Sequence, residues 1–490
     1  MLIIMLMGMP FVAGTIAFLV RHDRRRRGLL VTAAVAHFCL ICGAWGFPAQ
    51  ANVLSWFALD PLGLIVLTVT SLLFLGAAVY GTQYLEEEAK ASPRPYPENS
   101  FFSREAVFTG CLLLFLSAMT VVIASQHVAV LWVAIEATTL VSAPLIYFHR
   151  TRRSLEATWK YLLICSVGIA LALLGIFFLA AADLNASKDM LLGPMISRAA
   201  QMSVPWLKAA FLFLFVGYAT KMGLAPFHTW LPDAHSESPS VVSALLSGAL
   251  LNCAFVGILR GYQICIAAGL GPYCREIFIV FGLLSVVFAA FFILRQEDYK
   301  RMLAYSSVEH MGVLALGLGL GAEAVVGALI SLLGHALTKA GLFFIAGNIL
   351  WAYKTKKVSA VQGLLAGATR GSGILWLAGF LLITATPPSG IFWGQWLILK
   401  ESLGQGHYGV TAVFLSALIV IFIGMARIFI SMAQGTAGGE KDKRSLSPWD
   451  AFARLGPSAL FFVLAAGLGV YIPGWLVRVL QGAARQLGGF

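Results

Sequence analysis

The chain reads as an all-α, polytopic membrane protein, and three observations point there. Hydrophobic residues make up 59% of it and charged residues only 11%, with a mean hydropathy of +0.85, whereas soluble domains carry roughly 25% charged residues. Apolar runs long enough to cross a bilayer recur along the whole length, and no region alternates like the amphipathic elements of a soluble domain. The remaining charges are segregated, with the basic ones gathered in every second connecting loop.

The runs predict fourteen spans, near residues 2–20, 28–46, 59–83, 105–124, 127–148, 157–182, 207–231, 239–262, 277–294, 303–320, 324–350, 372–400, 409–432 and 456–478. They form one transmembrane domain over 1–490. Three N-terminal helices lie in 1–100, five-helix units in 101–265 and 273–432, and a cytoplasmic loop plus a final helix in 433–490. The first span does not read as a cleavable signal, because its basic cluster follows the apolar run instead of preceding it.

A net charge of +12 invites a nucleic-acid reading, which its distribution opposes. Loops after odd-numbered spans carry Arg21, Arg24, Arg25, Arg26, Arg27, Lys90, Arg94, Arg104, Arg150, Arg152, Arg153 and Lys160. Further along they carry Arg295, Lys300, Arg301, Lys354, Lys356, Lys357, Arg370, Lys441, Lys443, Arg444 and Arg454. The positive-inside rule then places both termini outside the cytoplasm of a cell inner membrane. Membrane lipid is the expected surroundings, with no nucleic-acid partner.

Two spans are interrupted. Pro226 and Pro232 break the seventh, and Pro387, Pro388 and Gly390 break the twelfth. Proline removes a backbone donor, and the freed groups are tolerated at membrane depth only inside protein or beside water. Each break falls on the fourth helix of its five-helix unit. Units of odd helix number insert with opposite orientation, so the pattern predicts an inverted repeat with its site at the breaks.

Ionisable groups within the spans mark that site. Glu136 lies in the fifth, Lys221 in the seventh, His310 in the tenth, and His335 with Lys339 in the eleventh. A charge at bilayer depth costs about 2.5–3.5 kcal/mol on insertion scales. Glu136 and Lys221 lie at similar depth and would offset each other's desolvation as a proton-transfer switch, or else form a static pair. His335 and Lys339 are four apart and share a helix face. Several histidines beside a lysine suggest a relay, while a single one would only bond a carbonyl.

His228, Asp233 and His235 follow the seventh-span break and read equally as a path mouth or as caps of the next helix. Glu86, Glu87 and Glu88 read as a solvated loop face, Arg427 as a snorkelling anchor, and Asp60 as a helix-dipole partner. Cys39 and Cys42 lack a second pair at metal spacing and read as packing residues. No stretch matches an iron–sulfur, haem or dinucleotide motif, so no cofactor or metal is expected in this chain.

The segments ATKMGLAPFHTWLPDAHSESPSVVSALLSG, QEDYKRMLAYSSVEHMG and GHALTKAGLFFIAGN resemble the antiporter-like membrane subunits of respiratory complex I, group 4 hydrogenases and multisubunit cation/proton antiporters. AIEATTLVSAPLIYFHRTRRSLEATWKYLLICSVGIALALLG is most similar to component F of hydrogenase 4. The resemblance implies a proton-translocating subunit of a hydrogenase-4-like or complex I-like oxidoreductase, driven by redox chemistry in partner subunits. A non-pumping scaffold and a Na+/H+ antiporter subunit are the alternatives.

By resemblance, Glu136, Lys221 and Lys339 are the pump residues, with His335 and His310 beside the last. Two positions depart from the family pattern. Asn252 stands where many members carry a lysine, and Gln395 where an acid or lysine forms the exit. Lys400, five residues on, reads either as a substitute exit cation or as a snorkelling anchor.

Overall fold

A computed structural model describes residues 1–46, 55–91, 103–183, 189–435 and 448–489. Arg94, Lys441, Lys443 and Arg444 of the predicted basic loops lie outside these residues.

The described residues are overwhelmingly helical. In chain order the helices are α1 (Leu2–Leu19), α2 (Asp23–Gly46), α3 (Pro61–Ala91), α4 (Arg104–Ala124), α5 (Val128–Ile146), α6 (Arg152–Ala182) and α7 (Val204–Glu237). Then come α8 (Ser240–Ala267), α9 (Gly271–Ile293), α10 (Tyr299–Leu320), α11 (Ala322–Tyr353), α12 (Arg370–Ile383 and Gly390–Gly404), α13 (Tyr408–Ala433) and α14 (Pro448–Val470). Among the described residues, thirteen helices are long and apolar enough to cross a membrane. The twelfth predicted span is two half-helices, each too short to cross alone.

Two sequence expectations need correction. The final span runs Pro448–Val470 instead of 456–478, and Pro473 and Gly474 start a separate amphipathic helix, α15 (Gly474–Gln486). Its Leu476, Leu480, Ala483 and Ala484 are buried while Trp475 is exposed, so it lies along the bundle against α3 and α11. Glu86, Glu87 and Glu88 are not a loop. They sit on the last turns of α3 and meet Lys90 and Arg27, Arg454, and His149 respectively.

Burial orders the helices. The most apolar stretches of α8 and α10 are 100% buried and that of α11 94%, against 33–39% for α1, α2, α6, α9, α13 and α14. Side chains on α8, α10 and α11 therefore face protein on every side, where a polar group can be kept.

Lipid drives no hydrophobic association between spans, so packing rests on small residues. At the α6–α7 crossing, a Cβ on Gly217 would come within 2.6 Å of Gly168 O and Ala172 N. The α11–α12 crossing uses Gly327 and Gly394 in the same way.

Both breaks satisfy the backbone groups they free. The first half of α7 ends at Gly223 in the left-handed region, φ +82°. Beyond it, Trp230 Nε1 donates to Thr220 O at 2.8 Å, and Ala225 N–H donates to Ser285 Oγ at 2.9 Å. In α12, Ser389 Oγ donates to Leu382 O and accepts from Ile391 N–H, both at 3.2 Å.

Among the described residues, the segments that follow α5, α7, α9 and α11 share one face. Asp233, after the break of α7, pairs with Lys160 on α6 at 2.9 Å and with Arg301 on α10 at 2.7 Å. Lys356, after α11, joins Glu237 at 2.7 Å. Asp60–Arg260 and Lys400–Glu323 pair the helix ends of the opposite face.

Candidate functional site

Lys221 lies on the last turn of the first half of α7 and is fully buried. Its ammonium donates to Thr139 Oγ1 of α5 at 2.8 Å and to Tyr161 OH of α6 at 2.6 Å, with the Tyr161 ring centroid 4.5 Å away. Tyr161 OH also shares a 2.6 Å bond with Ser142 Oγ. Glu136 lies one turn before Thr139. Its Oε1 accepts from Ser166 Oγ at 3.2 Å, and its Oε2 is buried without a hydrogen-bond partner. The expected Glu136–Lys221 pair is thus not in direct contact. Hydroxyls of Thr139 and Tyr161 hold the lysine instead, with Ser142 bracing Tyr161.

A second cluster lies on α10 and α11. Lys339, fully buried, donates to Leu303 O and to Ser306 Oγ. His310 Nδ1 bonds Ser306 O at 2.7 Å, and its ring stacks on that of His335 with centroids 4.8 Å apart. Both His335 nitrogens and His310 Nε2 are buried and unpartnered. The residues expected together from sequence, His310, His335 and Lys339, are together here.

The second half of α7 joins the clusters. Trp230 at its start packs its ring 5.0 Å from that of Tyr161. His235 near its end is fully buried, stacked 5.0 Å from Phe343, with neither ring nitrogen partnered. Phe343 is four residues beyond Lys339 and so on the same face of α11.

The three candidate mouth residues therefore separate. His235 faces the interior. His228 is buried among the edges of Phe288, Phe292 and Tyr305, and Asp233 clamps α6 to α10 through its two ion pairs.

The two departures also find places. Asn252 Nδ2 donates to Gly248 O at 2.8 Å, supporting a π turn at Leu246–Leu250 within α8. Gln395 is nearly buried in the second half of α12 and lines a cavity. Lys400 is exposed and pairs with Glu323 at 2.7 Å; it does not line that cavity.

Among the buried charges outside the sequence-predicted site are Lys300 and Glu309. Lys300 is fully buried and donates to Ser238 O at 2.7 Å. Glu309, 2% exposed, lines the same cavity as Gln395, and its Oε2 has no hydrogen-bond partner. Its signal was an acid inside an apolar run, directly before His310.

Residues 125–421 match the family described as NADH:quinone oxidoreductase/Mrp antiporter, TM. A hydrogenase-4 component F homolog from Methylacidiphilum infernorum is 32% identical over 437 residues, spanning 87% of this chain and 88% of that protein. An NADH-quinone oxidoreductase subunit N from Desulforudis audaxviator is 31% identical over 478 residues, spanning 91% and 90%. Among solved structures, a chain of the archaeal membrane-bound sulfane sulfur reductase superposes with TM-score 0.84 at 19% identity, over 99% of this chain and 97% of that one. A chain of respiratory complex I from Thermus thermophilus gives 0.75 at 24%, over 95% and 97%. At these identities the two structures bear on the fold alone.

Proposed function

We propose, for a chain that belongs to the NADH:quinone oxidoreductase/Mrp antiporter membrane family, that it translocates protons within a hydrogenase-4-like or complex I-like assembly. It is an antiporter-like, multi-pass membrane subunit. Its partners on this reading are the other subunits of that assembly, which hold the redox centres and release the energy. The membrane is the cell inner membrane, with the basic-loop face in the cytoplasm and both termini opposite.

One observation carries the proposal. Two buried lysines on separate helices are each held by neutral oxygen acceptors and joined by a half-helix that carries an unpartnered, buried histidine. A structural ion pair would have no need of this arrangement. Glu136 and Lys221 form the switch of the first cluster. Lys339, with His335 and His310, takes the charge onward past His235. The two five-helix units form an inverted repeat around the breaks in α7 and α12.

The test is proton uptake by vesicles containing the assembled complex, with Glu136→Gln and Lys221→Ala. Both variants are expected to lose translocation by about a hundredfold, the low end for removal of a positioned proton-transfer group. Unchanged uptake in a fully assembled complex overturns the proposal. Asn252 and Gln395, which hold no charge, favour one rival reading, a non-pumping scaffold. It requires the same substitutions to alter assembly or nothing.

A further inference from the structure

Glu309 is the buried acid of α10, and unlike Glu136 it lines a cavity. Its Oε2 is buried with no hydrogen-bond partner and lies 3.6 Å from His310 Nδ1. The carboxyl lines a cavity of about 190 Å³ together with Thr384, Gln395, Trp396, Leu399 and Phe422. That volume admits several waters, which take about 30 Å³ each in the liquid, and Glu309, Thr384 and Gln395 supply the polar partners that buried water needs. Trp396 and Phe422 are half-exposed, so the cavity opens sideways on the membrane-facing side between α12 and α13. Its α12 wall belongs to the half that runs from the central break toward Lys400.

We infer that Glu309 is the carboxyl through which protons leave the Lys339 cluster, with this cavity as the hydrated exit past Gln395. The assignment rests on the proton-translocating reading above. Its chain of contacts is short. Lys339 bonds Ser306 Oγ, Ser306 O bonds His310 Nδ1, and Glu309 lies next to that nitrogen. The step is a proton transfer only. The proton of the His310 or Lys339 group passes to the Glu309 carboxylate, and water in the cavity then takes it from the carboxylic acid.

Chain position supports the same role. α5 and α10 are each the second helix of a five-helix unit, and Glu136 and Glu309 both fall about ten residues in, roughly 15 Å along the helix. Each unit then holds one midplane acid. The neutral Gln395 ceases to be a gap in the path, because an acid from α10 lines the same cavity.

The test uses the intact complex, purified with its partner subunits and reconstituted in liposomes. Redox turnover and proton translocation are read together for Glu309→Gln, Glu309→Asp, Lys221→Ala and the double variant Glu309→Gln/Gln395→Glu. Glu309→Gln keeps the shape and is expected to lower protons moved per electron by about a hundredfold. The double variant returns a carboxyl to the cavity and is expected to recover most of the loss, as is Glu309→Asp. A purely structural role would not be rescued from position 395.

Wild-type translocation in Glu309→Gln overturns the inference. So does a double variant no better than the single one. Loss in Lys221→Ala with normal Glu309→Gln sinks only the exit assignment, whereas normal translocation in both sinks the proton-translocating reading itself. Should Glu309→Gln fail to assemble, Glu309→Asp and the double variant decide, since both keep a carboxyl at the cavity.

Discussion

Tyr161→Phe isolates one atom of the Lys221 cradle. It deletes the hydroxyl that accepts from Lys221 Nζ at 2.6 Å and bonds Ser142 at 2.6 Å. It keeps the ring that packs at a tilt against Trp230 and lies 4.5 Å from the ammonium. A hydrogen bond to a charged group contributes about 1.5–3 kcal/mol, and Thr139 Oγ1 remains as the other side-chain acceptor. The charged lysine in this position should therefore become rarer by a factor of about 10–150, at 1.4 kcal/mol per tenfold. Because the ring and its roughly 0.5–2 kcal/mol of cation–π attraction stay, packing and assembly should hold. The assay is proton uptake per electron in vesicles, alongside complex content and melting temperature in detergent. A drop in coupled uptake of tenfold or more with unchanged assembly is expected. Wild-type coupling in Tyr161→Phe would refute the view that hydroxyls hold Lys221 for transfer, whatever Lys221→Ala shows.

Two further outcomes test the packing. Gly217→Leu places a Cβ within 2.6 Å of Gly168 O and Ala172 N. Because backbone blocks it, the loss should reach or exceed the usual ~1–3 kcal/mol of overpacking, read as lost complex in membranes; Gly217→Leu at normal levels would contradict the α6–α7 crossing. Arg260→Ala removes both bonds to Asp60, at 2.6 and 3.0 Å, leaving the acid with the Gly63 N–H at 2.9 Å. Asp60 is partly exposed, so the cost should fall between the ~0–1 kcal/mol of surface pairs and the ~3–5 kcal/mol of buried ones. The detergent melting temperature should fall, and Asp60→Asn alongside should restore part of it.

The spans are legible because backbone groups in lipid must be satisfied within a helix, and a helix that crosses the hydrocarbon needs about 20 predominantly apolar residues. The run through Tyr471–Ile472 also hid the end of α14, since apolar residues continue past the turn into α15. Charged α3 residues at Glu86–Glu88 looked like a loop because sequence does not show that Arg27, Arg454 and His149 wait beside them. For the site, residue number fixes depth along a helix but not the direction it faces. The sequence places Lys221 and Glu136 at similar depth and reads them as a pair, yet Lys221 turns toward Tyr161 and Thr139. Those hydroxyls were invisible because Ser, Thr and Tyr in apolar helices are as often packing residues as ligands. Glu309 is legible as an acid inside an apolar run, though the adjacent His310 is the stronger signal for proton exchange near neutral pH.

The neutral cradles have a physical rationale on the proton-translocating reading. Two opposite unit charges 4 Å apart attract by about 4 kcal/mol at an effective dielectric of 20, about three decades in an equilibrium constant. A lysine locked to a carboxylate by that much would hold its proton through most of a cycle. Lys221 rests instead on Thr139 and Tyr161, and Lys339 on Ser306 and the Leu303 carbonyl. Each acceptor contributes about 1.5–3 kcal/mol, so the two together rival an ion pair, but the total is divided between separate bonds that can be exchanged one at a time. The acids stay near without closing the contact, with Glu136 Oε2 and Glu309 Oε2 both unpartnered. A small displacement of either cluster then suffices to trade hydroxyl for carboxylate. On that reading the carboxylates belong one step away from the lysines rather than upon them.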